Sequence, residues 1–477
     1  MKILFAASEA APYIKTGGLG DVMEALPAEI CKKTDDEVCV FLPYYKKIKF
    51  ESDFCIELVK DFKTTLSWRN IYVGLFKAVS KNKKLTYYFI DNEYYFNRDD
   101  LYGYYDDGER FAYFCKAVLD SIQYIDFVPD IIHCNDWQTA AIPVLLNAFY
   151  RHSELYAKIK TVFTIHNIEY QGQVPDSFME EILGLDEKYM PVMHLGDCVN
   201  LMKSAIVTAD RITTVSKTYS FEIRNAYYAH GLEGILSENG EKIRGIVNGI
   251  NTLLYNPKTD NCLEKNYSAN DVSGKAACKQ ALQSELGLPE REIVPVVAMI
   301  GRLVGHKGLE LVKYVIGDII ARDIQFVVLG TGDKEFEDLF RNLQYANSEK
   351  MSINIKFDTC LANRIYAGAD IFLMPSKSEP CGLAQLIAMR YGTIPIVRET
   401  GGLVDTVPPL NVVTLEGKGF TFKAYNAHDM LGAIDRAIAF YHEDKDKLSK
   451  LIKKLIKTDS SWDKPSMEYI DLYKEIT

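Results

Sequence analysis

The chain lacks an excess of positive charge. Its 477 residues carry 55 Lys and Arg against 65 Asp and Glu, a formal net charge of −10. A nucleic-acid binder needs a basic face, so that class is disfavoured, and an anionic ligand must be met by cations placed locally. Long apolar runs are lacking as well, since none approaches the about 20 residues of a membrane span. The first run, "ILFAA", is short and soon meets Glu9, which makes a poor signal peptide and a good first strand. Ten cysteines are present, but no C-x-x-C pair and no His/Cys cluster at zinc spacing. Scattered cysteines such as Cys31, Cys134 and Cys381 read as small buried hydrophobes of a reducing cytosol. The expectation is a cytoplasmic protein without a metal centre. Two nucleotide signatures are also missing. No G-x-x-x-x-G-K-[ST] occurs, and G-x-G-x-x-G fails at its sixth position, which is Met23 counted from Gly18 and Glu335 counted from Gly330. The D-x-D found at 444–446, "DKD", lies in a Lys-rich polar stretch and reads as a solvated surface.

What is there is apolar material in an alternating order. Apolar residues make up 48% of the chain, enough for two large domains. Strands are expected at "KILFAAS", "EVCVFLP", "LTYYFID", "DIIHC", "TVFTIHN" and "RITTVS", then at "PVVAMIGRL", "IQFVVLGTG", "INIKF", "IFLMPS" and "TIPIVRET". Helical patterns lie between them, among them "DWQTAAIPVLLNAFYR", "KGLELVKYVIGDII", "KEFEDLFRNL" and "CGLAQLIAMRYG". Near-continuous apolar strands alternating with helices imply parallel sheets covered on both faces, and right-handed crossovers make each half a doubly wound α/β domain. The boundary is expected near "VNGINTLLYNPKTDN", which divides the chain into 1–250 and 251–460.

Ligands of such sheets bind beyond the carboxyl ends of the strands. The first strand is followed by "KTGGLGDV", which holds Lys15, Gly17, Gly18 and Asp21. Glycines let backbone amides approach an anion, the next helix points its positive end the same way, and the lysine adds a full charge. A glycine turn beside a solvated lysine is the plainer reading. "HCNDWQ" and "TIHNIEYQG" put Asp136, His166 and Asn167 at two further strand ends. "GRLVGHKG" puts Arg302 and Lys307 before a helix, where cations oppose the dipole unless an anion is bound. "LGTGD" contains Gly332, and "SEPCGLAQL" puts Glu379 just ahead of Cys381, Gly382 and Leu383. Glu379 can cap its helix or accept hydrogen bonds from sugar hydroxyls. These loops together describe an enzyme for an anionic, phosphorylated and hydroxyl-rich ligand.

"KTGGLGDV", "HCNDWQ", "TIHNIEYQG", "ADRITTVS", "VNGIN", "GRLVGHKG", "LGTGD", "SEPCGLAQL" and "GGLVDTV" occur in the order found in bacterial glycogen synthases and plant starch synthases, which the chain resembles along nearly its whole length. "SWDKPSMEYIDLY" resembles that family's C-terminal helix, implying that about 461–477 packs back on the first domain. The resemblance implies the GT-B fold, two Rossmann-like domains facing a deep cleft. It implies transfer of glucose from ADP-glucose to the non-reducing end of an α-1,4-glucan (glycogen or malto-oligosaccharide), with retained configuration and no cofactor or metal. By the same resemblance, Lys15, Gly17 and Gly18 sit at the donor's diphosphate and glucose, with Asp21 nearby. Asp136 and His166 hold the glucose, with the His166 carbonyl near the anomeric carbon. Arg302 and Lys307 neutralise the leaving ADP, and Glu379 binds glucose hydroxyls. The Cys381–Gly382–Leu383 backbone cradles the distal phosphate. Asn248 and Gly332 are further donor contacts. Phe357 falls where an aromatic ring meets the adenine, although a core phenylalanine is an equal reading of the residue itself.

His306, Ala384 and Asn251 depart from the Gln, Thr and Asp common in the family at those places. None of the three removes a cation or the glutamate. Two alternatives stay open: a GT-B glucosyltransferase using UDP-glucose, and a non-catalytic glucan-binding relative.

Overall fold

The computed structural model describes residues 1–50, 54–79 and 84–477. Two compact units emerge, Met1–Asn248 with Trp462–Thr477, and Gly249–Ser461.

The first unit is built on a sheet that has nine strands among the described residues, in the order β12-β11-β7-β6-β1-β2-β5-β4-β3. These are β1 Lys2–Ala6, β2 Glu37–Pro43, β3 Glu57–Leu66, β4 Arg69–Val79, β5 Leu85–Asp91, β6 Ile131–Asn135, β7 Lys160–Ile165, β11 Arg211–Thr214 and β12 Ile243–Gly245. Three short strands, β8 Gln173–Val174, β9 His194–Leu195 and β10 Cys198–Asn200, form a small antiparallel sheet. The central strands are apolar on both faces because helices cover both: β1 is buried from Ile3 onward and β6 throughout. The antiparallel hairpin β3–β4 was not among the expected strands. Its outer strand, "ELVKDFKTTL", is mostly exposed, and Lys60 and Lys63 on this edge oppose pairing with another chain. The expected helix at "DWQTAAIPVLLNAFYR" is broken into a turn at Trp137–Thr139, a short helix Ala141–Leu145 and a π-helical turn Leu146–Tyr150, closed by the Arg151 amide on the Leu146 carbonyl.

The C-terminal helix Asp463–Ile476 belongs to this first unit. It rests on the helix Gly18–Lys33, with Lys33 paired to Asp463 at 2.9 Å. Tyr473 is fully buried, and its hydroxyl meets His133 Nδ1 of β6 at 2.6 Å. His133 Nε2 continues to Thr164 Oγ1 of β7. Burial lowers the His133 pKa to about 3, so the ring is neutral and links helix to sheet.

The second unit carries a wholly parallel sheet in the order β15-β14-β13-β16-β17-β18. The strands are β13 Val296–Ile300, β14 Gln325–Leu329, β15 Met351–Asn354, β16 Ile371–Met374, β17 Ile394–Arg398 and β18 Phe420–Phe422. One expectation about cysteine is corrected here. Cys262 and Cys360 form a disulfide with Cα atoms 5.5 Å apart, tying the segment after Gly249 to the start of the helix Thr359–Gly368. Ninety-eight residues of sequence separate the pair, a distance at which no local spacing rule signals a bond. Among the described residues, no helix is long and apolar enough to cross a membrane.

Candidate active site

Strand order determines where ligand-binding loops part. In the first unit, β1 pairs with β2 on one side and β6 on the other, so the chain leaves β1 and β6 toward opposite faces. The loop after β1 contains a carboxylate that the sequence marks only as the end of the apolar run. Glu9 is 4% exposed. It accepts hydrogen bonds from Thr16 N at 2.5 Å, Thr16 Oγ1 at 2.7 Å, Gly17 N at 3.1 Å and Tyr102 Oη at 2.7 Å. Four donors satisfy a buried charge that would otherwise be costly. The Gly17 amide, expected to meet the donor, is therefore turned inward to Glu9, and Gly18 opens the helix Gly18–Lys33. Lys15 Nζ pairs with Asp21 Oδ1 at 2.6 Å. A Cβ on Gly20 would lie 2.9 Å from Lys15 Cβ and Cγ, so this glycine makes room for the lysine's stem. Burial raises the Asp21 pKa, Lys15 opposes the rise, and Glu9 adds to it.

Beyond β6, Asp136 has φ 57° and ψ 179°, a backbone region occupied almost solely by glycine. The surrounding hydrogen bonds hold it there. Its amide donates to the Thr164 carbonyl at 3.0 Å, and its Oδ1 accepts from His166 N at 2.7 Å and Asn167 N at 3.3 Å. The turn after β7 is thus fastened to the turn after β6. Asn135 donates its amide to the Ala6 carbonyl, which leaves its Oδ1 to accept from His166 Nε2 at 2.9 Å. Burial lowers the His166 pKa to about 3, so the ring stays neutral. The structure brings Asp136 and His166 together as a rigid polar corner. Asn248, at the end of the unit, is 5% exposed, and its Oδ1 meets no partner among the described residues.

In the second unit the strand order reverses at β13 and β16. Arg302 and Lys307 follow β13, and Glu379 follows β16. Lys307 Nζ meets Glu379 Oε2 at 2.7 Å, and Ser376 Oγ donates to the same oxygen at 2.9 Å. Glu379 is 5% exposed, and the helix downstream begins only at Ala384, so it is no helix cap. Arg302 is exposed, and its guanidinium contacts no carboxylate among the described residues. Gly308, at φ 78°, is required because a Cβ would stand 2.1 Å from the Pro375 carbonyl oxygen. That contact brings the two loops side by side. Gly332 has a packing role: its amide donates to Glu337 at 2.9 Å, and a Cβ would meet the Leu303 carbonyl oxygen at 2.3 Å. Cys381, Gly382 and Leu383 lie between Glu379 and the helix Ala384–Arg390, and Gly382 has φ 72°. Phe357 is 74% exposed beyond β15, which removes the core reading and leaves a ring available for stacking.

Two doubly wound units, with cations and buried carboxylates gathered where each strand order reverses, define a GT-B glycosyltransferase. Residues 2–238 match the family model "Starch synthase catalytic domain", and residues 282–458 match "Glycosyl transferases group 1". The chain is 48% identical to a glycogen synthase of Anoxybacillus flavithermus, over 100% of this chain and 98% of that protein. It is 46% identical to a glycogen synthase of Clostridium beijerinckii, over 100% and 99% respectively. The solved catalytic domain of starch synthase IV from Arabidopsis thaliana, bound to ADP and acarbose, aligns with TM-score 0.93 at 34% identity, covering 100% of this chain and 99% of that one. A sucrose-phosphate synthase from Thermosynechococcus elongatus, at 17% identity and TM-score 0.60, shares the fold. The chain belongs to the glycogen synthase and starch synthase family.

The polar corner has a pH signature. Burial raises the Asp136 carboxyl from 3.8 to about 7, opposed by the His166 and Asn167 amides and reinforced by Glu9. Across that window the folded protein holds a proton the unfolded chain releases, so this group's contribution to stability declines as pH rises through it. Asp136→Asn still accepts the amides and cannot ionise. Its stability relative to wild type is expected to improve as pH rises toward about 7 and then level off, as read from urea midpoints across a pH series. A mutant–wild-type difference independent of pH would contradict a protonated Asp136.

Proposed function

We propose that the chain transfers glucose from ADP-glucose to the non-reducing end of an α-1,4-glucan, retains the anomeric configuration and uses no metal. The observation that carries this reading is the reversal point of the second unit: an exposed Arg302, the Lys307–Glu379 pair, and a glycine-bearing loop just beyond. The whole-chain likeness to glycogen synthases and the neighbour bound to ADP and acarbose support it.

Breaking a glycosyl–phosphate bond leaves negative charge on the departing diphosphate and positive charge on the sugar ring. Arg302 presents a planar fork suited to phosphate, and Lys307 a point charge. Without a donor, Lys307 balances the buried Glu379 carboxylate. When a diphosphate shares the lysine, Glu379 keeps Ser376 and can accept the sugar's hydroxyl protons. Fixed cations need no reorganisation as the bond breaks, and they supply the charge stabilisation a metal would otherwise provide. A retaining glycosidase uses a carboxylate nucleophile. By the family resemblance the His166 backbone carbonyl, not a carboxylate, lies near the anomeric carbon, so we assign front-face attack, with the leaving phosphate accepting the acceptor's proton. Stacking of adenine on the exposed Phe357 ring supplies binding far from the reacting bond.

Two outcomes check this reading. A malto-oligosaccharide incubated with ADP-glucose and excess EDTA is expected to gain α-1,4-linked glucose at its non-reducing end, and Arg302→Ala to lower kcat by about 10²-fold or more. Activity lost in EDTA and restored by Mg²⁺ would overturn the metal-free reading, and near-normal turnover in Arg302→Ala would remove that cation from the chemistry. Phe357→Ala is expected to raise KM for ADP-glucose about tenfold, with a much smaller fall in kcat. Because Phe357 is 74% exposed, stability should change by no more than about 0.5 kcal/mol. An unchanged KM in a stable mutant would place the adenine contact elsewhere.

A further inference from the structure

Gln385 stands directly behind the glycine-bearing loop and is fully buried. Its side-chain amide nitrogen lies 3.1 Å from the Cys381 carbonyl oxygen, 2.8 Å from the Gly382 carbonyl oxygen and 3.0 Å from Thr406 Oγ1. Thr406 Oγ1 in turn donates to the Gly402 carbonyl at 2.6 Å. Backbone carbonyls can only accept, so the amide orientation is fixed: nitrogen faces the loop. A Cβ on Gly382 would stand 2.4 Å from Gln385 Oε1, so the glycine and the glutamine fit only together.

The peptide plane turns this contact into a direction. In a trans peptide the C=O and the following N–H point opposite ways. With the Cys381 and Gly382 carbonyls drawn onto Gln385, the Gly382 and Leu383 amides point away from it, on the same side. Gly382 is left-handed at φ 72°, and Leu383 is right-handed at φ −107°, ψ −30°. Successive residues of opposite hand make a concave nest of N–H groups suited to an anion. Neither amide is donated to any described residue.

We propose that Gln385 is a positioning residue for the donor: it holds the Gly382 and Leu383 amides toward the distal phosphate and so sets the preference for a nucleoside diphosphate over a monophosphate. The proposal rests on the donor reading given above. Without the Gln385 amide, the Gly382 carbonyl loses its donor and the Cys381 carbonyl loses this contact, so the Gly382–Leu383 peptide is free to rotate, which turns its N–H from the phosphate. A nucleoside monophosphate lacks that phosphate and should not register the change.

The test is calorimetric titration of the full chain with ADP and with AMP. Wild type is expected to bind ADP more tightly than AMP. Gln385→Met, close in volume but without the donor, is expected to lose about tenfold or more in ADP affinity, on the scale of one charge-assisted hydrogen bond. Its AMP affinity should stay within about twofold, because only the distal contact is removed. Retained AMP binding also shows that the variant is folded. Thr406→Val, which removes the acceptor that orients Gln385, should move the ADP/AMP ratio in the same direction by a smaller factor. Equal loss for both nucleotides, or unchanged ADP affinity in both variants, would overturn the positioning role. A wild type that binds ADP and AMP equally would instead overturn the donor-phosphate reading beneath it.

Discussion

The parallel pairing of one strand with partners on both sides is the constraint on which each site depends. β13 bonds to β14 and β16, and β1 bonds to β2 and β6. Because crossovers are right-handed, the chain must cover opposite faces on either side of such a strand, and the loops at its carboxyl end separate. Lys307 and Glu379 meet at one such gap, with Arg302 on the same loop as Lys307, and the Lys15 loop and Asp136 lie at the other. The paired strands are apolar on both faces, so a core of Val, Ile and Phe side chains fixes the position of polar groups that could not stabilise the fold themselves.

Buried groups behind the loops control what the loops present. Glu9 fixes the Thr16 and Gly17 amides, Asp136 fixes those of His166 and Asn167, and Gln385 fixes the carbonyls of Cys381 and Gly382. Glu9 and Asp136 are well partnered, as polar groups out of water must be, whereas Gln385 is partnered through its amide nitrogen and its Oε1 meets no partner among the described residues. The strain at Asp136 fits the same arrangement. A residue held in a glycine-only region costs about 1–3 kcal/mol, and it persists where neighbours over-determine it.

Much of this was legible in the sequence. The apolar runs marked the central strands, since a strand buried on both faces leaves a continuous signal, and the residues just beyond those runs marked the loops. The hairpin β3–β4 escaped because a half-exposed edge strand such as "ELVKDFKTTL" has no such signal. Glu9 and Gln385 escaped for another reason: their roles lie in which backbone groups they touch, and that depends on a fold brought together from distant segments. Tyr102, which completes the shell around Glu9, is 93 residues away. The Cys262–Cys360 bond is hidden likewise by its separation. Phe357 was ambiguous because a ring at a strand end reads alike whether packed or exposed, and only its exposure decides between stacking and core.

The central claim is that the reversal point between β13 and β16 holds the donor's diphosphate. Hydrogen–deuterium exchange of the full chain with and without ADP tests it most directly. Slower exchange is expected across 301–308 and 376–386, where the cations and the outward amides lie. No change is expected along the helix Lys445–Lys457, whose Lys450, Lys453, Lys454 and Lys457 line a cavity of about 430 Å³ and offer a rival place for an anion. Protection confined to that helix, with 301–308 and 376–386 unaltered by saturating ADP, would contradict the account.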